Sequence, residues 1–309
     1  MAAQFITVDA SSDNQRVDNF LFRHMKGVPK SRVYRALRQG EVRVNKKRVK
    51  AHTRLCLDDV VRIPPIGLAE RAVIQKPSDQ LAGLLMDSIV YQDNDCLVVD
   101  KPSGLPVHGG SGNQAGLIEL LRLLTDPNDS YLELVHRLDK ATSGCLVLAK
   151  NRPFLTHCHE VLAARKAQKT YQALVKGNWQ GGEILVNAPL LRYQRTCGES
   201  AVRVDEAGKS SQTIFRPLQR FNDATLVEAI PVTGRTHQIR VHAAHIGHPI
   251  GQDDKYGDKF FNRNISKLGL SRLFLHAVSI TFPLASPGET FGVCVPLPAA
   301  LIAVLDRLN

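Results

Sequence analysis

The sequence predicts an α+β protein in which a small basic N-terminal domain precedes a larger C-terminal domain. The chain has 309 residues, of which 43% are hydrophobic, enough for two domains with a substantial core. From residue 89 onward, short β-rich runs mix with helical segments, without the regular alternation of a doubly wound sheet. We therefore expect a mixed, largely antiparallel sheet in the second domain.

Positive charge is concentrated in one short segment. Residues 13–63 hold 14 Lys and Arg against 5 Asp and Glu, which is a net +9 of the formal +11 of the whole chain. A compact basic block is typical of nucleic-acid binding, and a solvated basic face is the alternative interpretation.

The basic segment has the pattern of a folded module. Apolar residues at helical spacing predict a first helix over 17–25. A second helix is expected from Lys30, with Ser31 as its possible cap and Gly40 at its end. A short strand over 41–45, a turn at 45–47 and a closing strand over 60–63 follow. One helix face and the turn would offer cations to phosphates. The expected RNA-binding residues are Arg16, Lys30, Arg32, Arg35, Arg38, Lys46, Lys47 and Arg48.

Three runs in this segment resemble an S4 RNA-binding domain: Arg16-Val17-Asp18-Asn19-Phe20-Leu21, Lys30-Ser31-Arg32 and Gly40-Glu41-Val42-Arg43-Val44-Asn45. The resemblance implies two helices that dock on structured RNA, but it implies no chemistry, because such modules accompany many enzymes and ribosomal proteins. We expect an S4 domain over 13–75, a linker over 76–88 with a helical piece near 79–87, and a catalytic domain over 89–309.

A polar cluster at 136–144 interrupts two apolar runs and predicts a strand, a loop and a strand. Within it, Asp139 has Arg137 and Lys140 as cationic neighbours, which favour the carboxylate form of a nucleophile or a base. A surface turn with a local salt bridge is the alternative.

Four motifs together are similar to those of the RluA-type pseudouridine synthases. The cluster at 136–144 reads His-Arg-Leu-Asp-x-x-Thr-Ser-Gly, which resembles the family's signature. Asp100-Lys101-Pro102-Ser103-Gly104 resembles its opening motif, Lys169–Val175 its tyrosine motif, and Thr233–His242 its arginine motif. The resemblance implies an RNA-modifying isomerase that converts uridine to pseudouridine, with sites in large-subunit (23S) ribosomal RNA.

The same resemblance implies roles for four residues. Asp139 would act on the target uridine while the glycosidic bond breaks. Tyr171 would pack on the base, and Arg235 would pair with the aspartate, since a buried carboxylate needs a cationic partner. Arg137 would fill the space of the flipped nucleotide, because the reacting atoms are inaccessible inside stacked RNA. The product is an isomer of the substrate, so no cofactor is expected.

No metal is expected either. His237, His242, His245 and His248 do not follow H-E-x-x-H spacing, and no carboxylate or Cys lies among them. His245-Ile246-Gly247-His248 spells the HIGH signature of class I aminoacyl-tRNA synthetases, but it lies late in the chain and no KMSKS motif follows.

The expected setting is a monomer in the cytoplasm with no membrane contact. The chain has no stretch of about 20 apolar residues and no secretory signal pattern at its start. Its six Cys form no C-x-x-C pair, which fits a reducing compartment. The expected partner is large-subunit ribosomal RNA or an assembly intermediate. The competing class is a non-enzymatic RNA-binding or ribosome-assembly protein, against which the intact Asp139, Tyr171 and Arg235 argue.

Overall fold

A computed structural model describes residues 3–10, 12–25, 28–65, 76–109, 115–125, 131–195, 199–284, 286 and 288–308. The chain divides into two compact units, Met1–Gln75 and Lys76–Asn309. Among the described residues, no helix is long and apolar enough to cross a bilayer.

The first unit packs two helices against a small antiparallel sheet. The strands follow the order β1-β4-β2-β3, and Val17, Phe20 and Leu21 from the first helix and Val33 from the second are buried in one apolar core. The elements are β1 (Gln4–Thr7), α1 (Val17–His24), α2 (Lys30–Gln39), β2 (Arg43–Val44), β3 (Lys47–Arg48) and β4 (Val60–Ile63).

Both ends of helix α2 can be compared with the sequence prediction. The predicted end is confirmed, because Gly40 is the C-cap with φ 72°, a left-handed conformation that favours glycine. The suggested cap is wrong. Ser31 lies inside the first turn, and the N-cap is Pro29, which has no side chain that could accept a hydrogen bond.

The second unit is built on one large sheet. Its helices are α3 (Asp79–Asp87), α4 (Leu117–Leu124), α5 (Arg152–Ala163), α6 (Gln238–His245), α7 (Lys259–Lys267) and α8 (Ala299–Asp306). Its strands are β5 (Ile89–Gln92), β6 (Cys96–Lys101), β7 (Glu133–Leu134), β8 (Ser143–Ala149), β9 (Gln168–Lys176), β10 (Ile184–Asn187), β11 (Leu190–Gln194), β12 (Ser200–Val204), β13 (Gln212–Arg220), β14 (Ala224–Pro231), β15 (Leu275–Pro283) and β16 (Thr290–Cys294).

Eight strands of this sheet run in the order β10-β13-β14-β9-β15-β8-β6-β5, while β16 pairs with β15 and β7 with β8. Strands β11 and β12 form a separate hairpin. Among the described strands, β8 and β15 are the one parallel pair. The α+β prediction with a mixed, largely antiparallel sheet is therefore confirmed.

Apolar cores cover both faces of the sheet. On β9, Ala173 and Val175 belong to the main core, to which α4 and α5 contribute. The residue between them, Leu174, belongs to a second core with α7 and α8. This alternation is what a strand with two covered faces requires. Strands β8 and β9 thus lie in the middle of a sheet that is covered on both faces.

The expected linker segment carries helix α3, and the side chain of Leu85 on this helix is buried in the main core of the second unit. The expected boundaries at residues 75 and 88 stay a prediction.

Candidate active site

One cavity of about 700 Å³ is lined by the four predicted catalytic residues, which come from three separate parts of the chain. Asp139 and Arg137 come from the loop before β8, Tyr171 from β9, and Arg235 from the loop before α6. The structure therefore brings all four residues into one concave site, the setting in which ligand sites form.

The loop that carries Asp139 is held in place by the Asp100–Gly104 motif. Lys101 is fully buried, and its Nζ donates to the carbonyls of Pro102, Leu105 and Lys140 at 2.8, 2.8 and 3.2 Å. Ser103 Oγ donates to the Ala141 carbonyl at 2.6 Å. Three carbonyl acceptors match the three donors of an ammonium group. The opening motif thus fixes the backbone on the C-terminal side of Asp139.

Gly144 explains the end of the signature motif. It has φ 107°, and a Cβ at this position would collide with the backbone of Ala277. Gly144 pairs with Ala277 in the parallel ladder between β8 and β15. The glycine lets these two strands approach directly behind the Asp139 loop.

The carboxylate of Asp139 lies between two basic side chains of the arginine motif. Arg240 Nη1 is 3.7 Å from its Oδ2, and His237 Nε2 is 4.0 Å from the same atom. Both separations are longer than a hydrogen bond. The guanidinium charge of Arg240 attracts the Asp139 side chain, which is 28% exposed and lines the cavity.

The expected pairing of Asp139 with Arg235 is wrong, because the arginine beside Asp139 is Arg240. Arg235 is exposed, and its Nε donates to the Ser210 carbonyl at 3.3 Å. Arg240 takes the place at Asp139 because it lies on helix α6, whereas Arg235 lies in the preceding loop. The sequence motif contains both arginines, and the helical register that separates them is not visible in the spacing alone.

Arg240 is held mainly by a second carboxylate, which the sequence analysis missed. Its Nε and Nη2 donate to the two oxygens of Asp253 at 2.7 Å each, and Nη2 also reaches Asp254 at 3.1 Å. Side-chain exposure is 4% for Arg240 and 0% for Asp253. Such a forked pair fixes the guanidinium plane, so only Nη1 faces Asp139. An acidic residue in a Gly-Gln-Asp-Asp loop carries no sequence signal for this role.

His237 is fixed from its other side. Its backbone is left-handed at φ 54°, where it forms the N-cap of α6. Its Nδ1 lies 2.7 Å from Tyr256 Oη, which accepts from the Val202 amide at 3.0 Å. A donor bond from Tyr256 to Nδ1 would leave the proton on Nε2, which faces Asp139. Burial lowers the pKa of His237, an effect that the carboxylate of Asp139 opposes.

Tyr171 is a neutral phenol in the wall of the cavity. It is 9% exposed. Burial, with a smaller effect from the charge of Asp139, raises its pKa well above the ordinary value. Its ring offers an apolar face for a planar base.

The predicted RNA-binding residues of the first unit lie mostly at its surface. Arg16 pairs with Asp18 at 2.6 Å, and Arg32, which is half-buried, pairs with Glu41 at 2.8 Å. The exposed members of the set are Arg16, Lys30, Arg35, Arg38, Lys46, Lys47 and Arg48. Their role in RNA binding stays a prediction.

Two of the four histidines that resemble metal ligands have backbone partners. His242 lies 2.9 Å from both the Thr213 hydroxyl and the Ala188 carbonyl, and His248 lies 2.7 Å from the Lys176 carbonyl. Within the described ranges, no group of three His, Cys, Asp or Glu side chains is placed to hold a metal ion.

Comparison with known proteins agrees with this geometry. The family described as RNA pseudouridylate synthase matches residues 95–245, and the S4 domain matches residues 15–61. Proteins named ribosomal large subunit pseudouridine synthase C are similar over nearly their whole length. The Haemophilus influenzae protein is 48% identical, covering 100% of this chain and 96% of its own. The Yersinia pestis protein is 50% identical, covering 95% and 92%.

Solved structures give the same family. Human RNA Pseudouridylate Synthase Domain Containing 4 superposes with a TM-score of 0.62 at 29% identity, covering 74% of this chain and 95% of its own. Human RNA Pseudouridylate Synthase Domain Containing 1 gives a TM-score of 0.57 at 28% identity, covering 68% and 83%. The resemblance predicted from the four motifs is confirmed, and the chain belongs to the RNA pseudouridylate synthase family, with an N-terminal S4 domain.

Proposed function

We propose that the protein isomerises specific uridines to pseudouridine in the 23S RNA of the large ribosomal subunit. The observation that carries the proposal is the cavity in which Asp139, Tyr171 and Arg240 meet, with Arg240 beside the Asp139 carboxylate. The names of the full-length relatives support the large-subunit substrate.

The cavity suits an anionic polymer. Asp139 is its one acidic side chain among the described lining residues. The lining also carries the basic residues Arg137, Arg165, Lys169, Arg235 and Arg240 and the histidines His108, His136, His159 and His237. Because phosphate contacts dominate RNA affinity, this excess of positive charge favours RNA over an uncharged nucleoside.

The reaction exchanges one bond for another. The bond between N1 of uracil and C1′ breaks, the base turns, and C5 bonds to C1′. The proton on C5 leaves and N1 gains one, so atoms and charge balance without a cofactor. The open carboxylate of Asp139 can attack the base, attack C1′ or abstract a proton. Tyr171 would pack on the base, and Arg137 would occupy the space that the flipped nucleotide leaves.

In this proposal the S4 domain supplies affinity and orientation, the second unit supplies the chemistry, and the protein works as a monomer in the cytoplasm. The test uses ribosomal RNA from cells that lack the protein, mapped for pseudouridine. We expect missing sites that return with the wild-type protein but not with Asp139→Asn. Return of the sites with Asp139→Asn would refute the catalytic assignment. A full set of pseudouridines in the deletion strain would favour a role in ribosome assembly instead.

A further inference from the structure

Lys169 is a cation of the cavity that the reaction described above does not use. It lies on β9 two residues before Tyr171, and it lines the same cavity. Alternate residues of a strand point to the same face, so Lys169 and Tyr171 enter the cavity side by side. A methyl group built on Gly234 would lie 3.7 Å from Lys169 Nζ, which places the ammonium beside the loop that precedes α6.

Among the residues that the structure describes, this ammonium has no anionic partner. Within the described part of the chain, its Nζ makes no hydrogen bond and no ion pair with a side chain or a carbonyl. The acidic group of the cavity, Asp139, is paired with Arg240 and His237 instead. The nearby ring of His136 is neutral, because burial lowers its pKa to about 3 and its Nε2 accepts from the Val147 amide at 3.1 Å.

An isolated charge at such a position is costly. Half-burial in the cavity wall lowers the pKa of Lys169 below its ordinary value. Buried charges are usually paired or hydrogen-bonded, and a charge without such partners destabilises the free protein. Because a methionine would fill the same wall without this penalty, the ammonium is explained best by a ligand that brings the missing negative charge.

The position of Lys169 relative to Tyr171 indicates which anionic group it binds. Lys169 and Tyr171 are separated by about 6.6 Å along the strand, which is on the scale of one nucleotide from base to phosphate. We propose that Lys169 forms a phosphate subsite of the cavity, which binds the backbone phosphate next to the uridine that packs on Tyr171. This inference rests on the proposed function, because RNA must enter the cavity for the subsite to be filled.

The test measures RNA binding without turnover. The full-length Asp139→Asn protein is titrated with unmodified 23S RNA transcribed in vitro, at several salt concentrations, alone and combined with Lys169→Met. We expect Kd to rise about 10-fold with Lys169→Met, as for loss of one charge-assisted contact. The slope of log Kd against log salt should fall by about 0.7, the value for one single-stranded phosphate. Lys169→Arg should keep both values near those of the parent.

Lys267→Gln is the matched control, because it removes one exposed lysine that does not line the cavity. Thermal unfolding of Lys169→Met should be unchanged or higher than that of the parent, since a structural role would lower it. The subsite is refuted if Lys169→Met keeps the parent's Kd and salt slope, or if Lys267→Gln changes them equally. These outcomes are independent of pseudouridine formation, whose absence in the wild-type protein would refute the proposed function alone.

Discussion

The buried ion pair between Arg240 and Asp253 predicts that the loss of Asp253 lowers both the stability of the protein and its turnover. Asp253→Asn keeps the shape of the side chain but removes its charge, and the guanidinium is left with its contacts to Asp254 and Asp139. Removing one partner of a buried ion pair costs about 3–5 kcal/mol of unfolding free energy. For a unit of this size, that corresponds to a fall of about 6–20 °C in Tm.

Asp254→Asn is the control, because its carboxylate also contacts Arg240 but is 77% exposed. An exposed pair contributes about 1 kcal/mol or less, so its Tm should fall by no more than about 4 °C. Turnover at a temperature where both variants are folded should fall about 100-fold for Asp253→Asn, since a guanidinium that moves by about 1 Å no longer positions Asp139. Equal Tm and turnover in the two variants, measured by calorimetry and pseudouridine formation, would show that Asp253 does not hold Arg240 in place.

Four further outcomes are expected. Arg240→Lys should lower turnover far more than Arg235→Lys in a pseudouridine assay, because of these two arginines it is Arg240 that reaches Asp139. A larger loss with Arg235→Lys would instead support the expected pairing of Asp139 with Arg235. Tyr171→Phe should leave the Kd for RNA near the parent value. Because the pKa of Tyr171 is raised, the wild-type rate should show no loss from ionisation of this phenol up to pH 10. Burial holds the pKa of His136 at about 3 against 6.5 in the unfolded chain, so stability present above pH 6.5 should be lost as pH falls towards 3; His136→Gln should flatten this dependence in thermal melts between pH 4 and 7. Replacing Arg35, Arg38 and Lys47 with Gln should flatten the salt dependence of RNA binding by about 2, and an unchanged slope would leave the basic segment as a solvated surface.

Local patterns predicted the elements that their own residues determine. Helix α2 ends at Gly40, whose left-handed conformation favours glycine, and the period of apolar residues indicated helix α1. The loop that carries Asp139 was predicted from two apolar runs. The first run contains β7 and the second lies in β8.

Long-range contacts could not be predicted in this way. The partner of Asp139 depends on where helix α6 begins, which is set by the turn at His237. Arg240 lies on the helix and reaches the carboxylate, whereas Arg235 lies in the preceding loop and does not. The hydrogen bond from Arg240 to Asp253 joins residues that are 13 positions apart in the sequence, and it forms only through tertiary packing. The three carbonyls around Lys101 converge from two separate loops. These contacts depend on the assembled sheet rather than on any one segment.

In the proposed function, Asp139 in this cavity carries out uridine isomerisation in large-subunit ribosomal RNA. The most direct measurement counts pseudouridines in 23S RNA that lacks the modification, after incubation with purified wild-type protein or with Asp139→Asn. We expect the wild-type protein to form pseudouridine at discrete positions without any added cofactor, and Asp139→Asn to form none while it binds the RNA with a similar Kd. Pseudouridine formed by Asp139→Asn at the wild-type rate would rule out Asp139 as the catalytic residue.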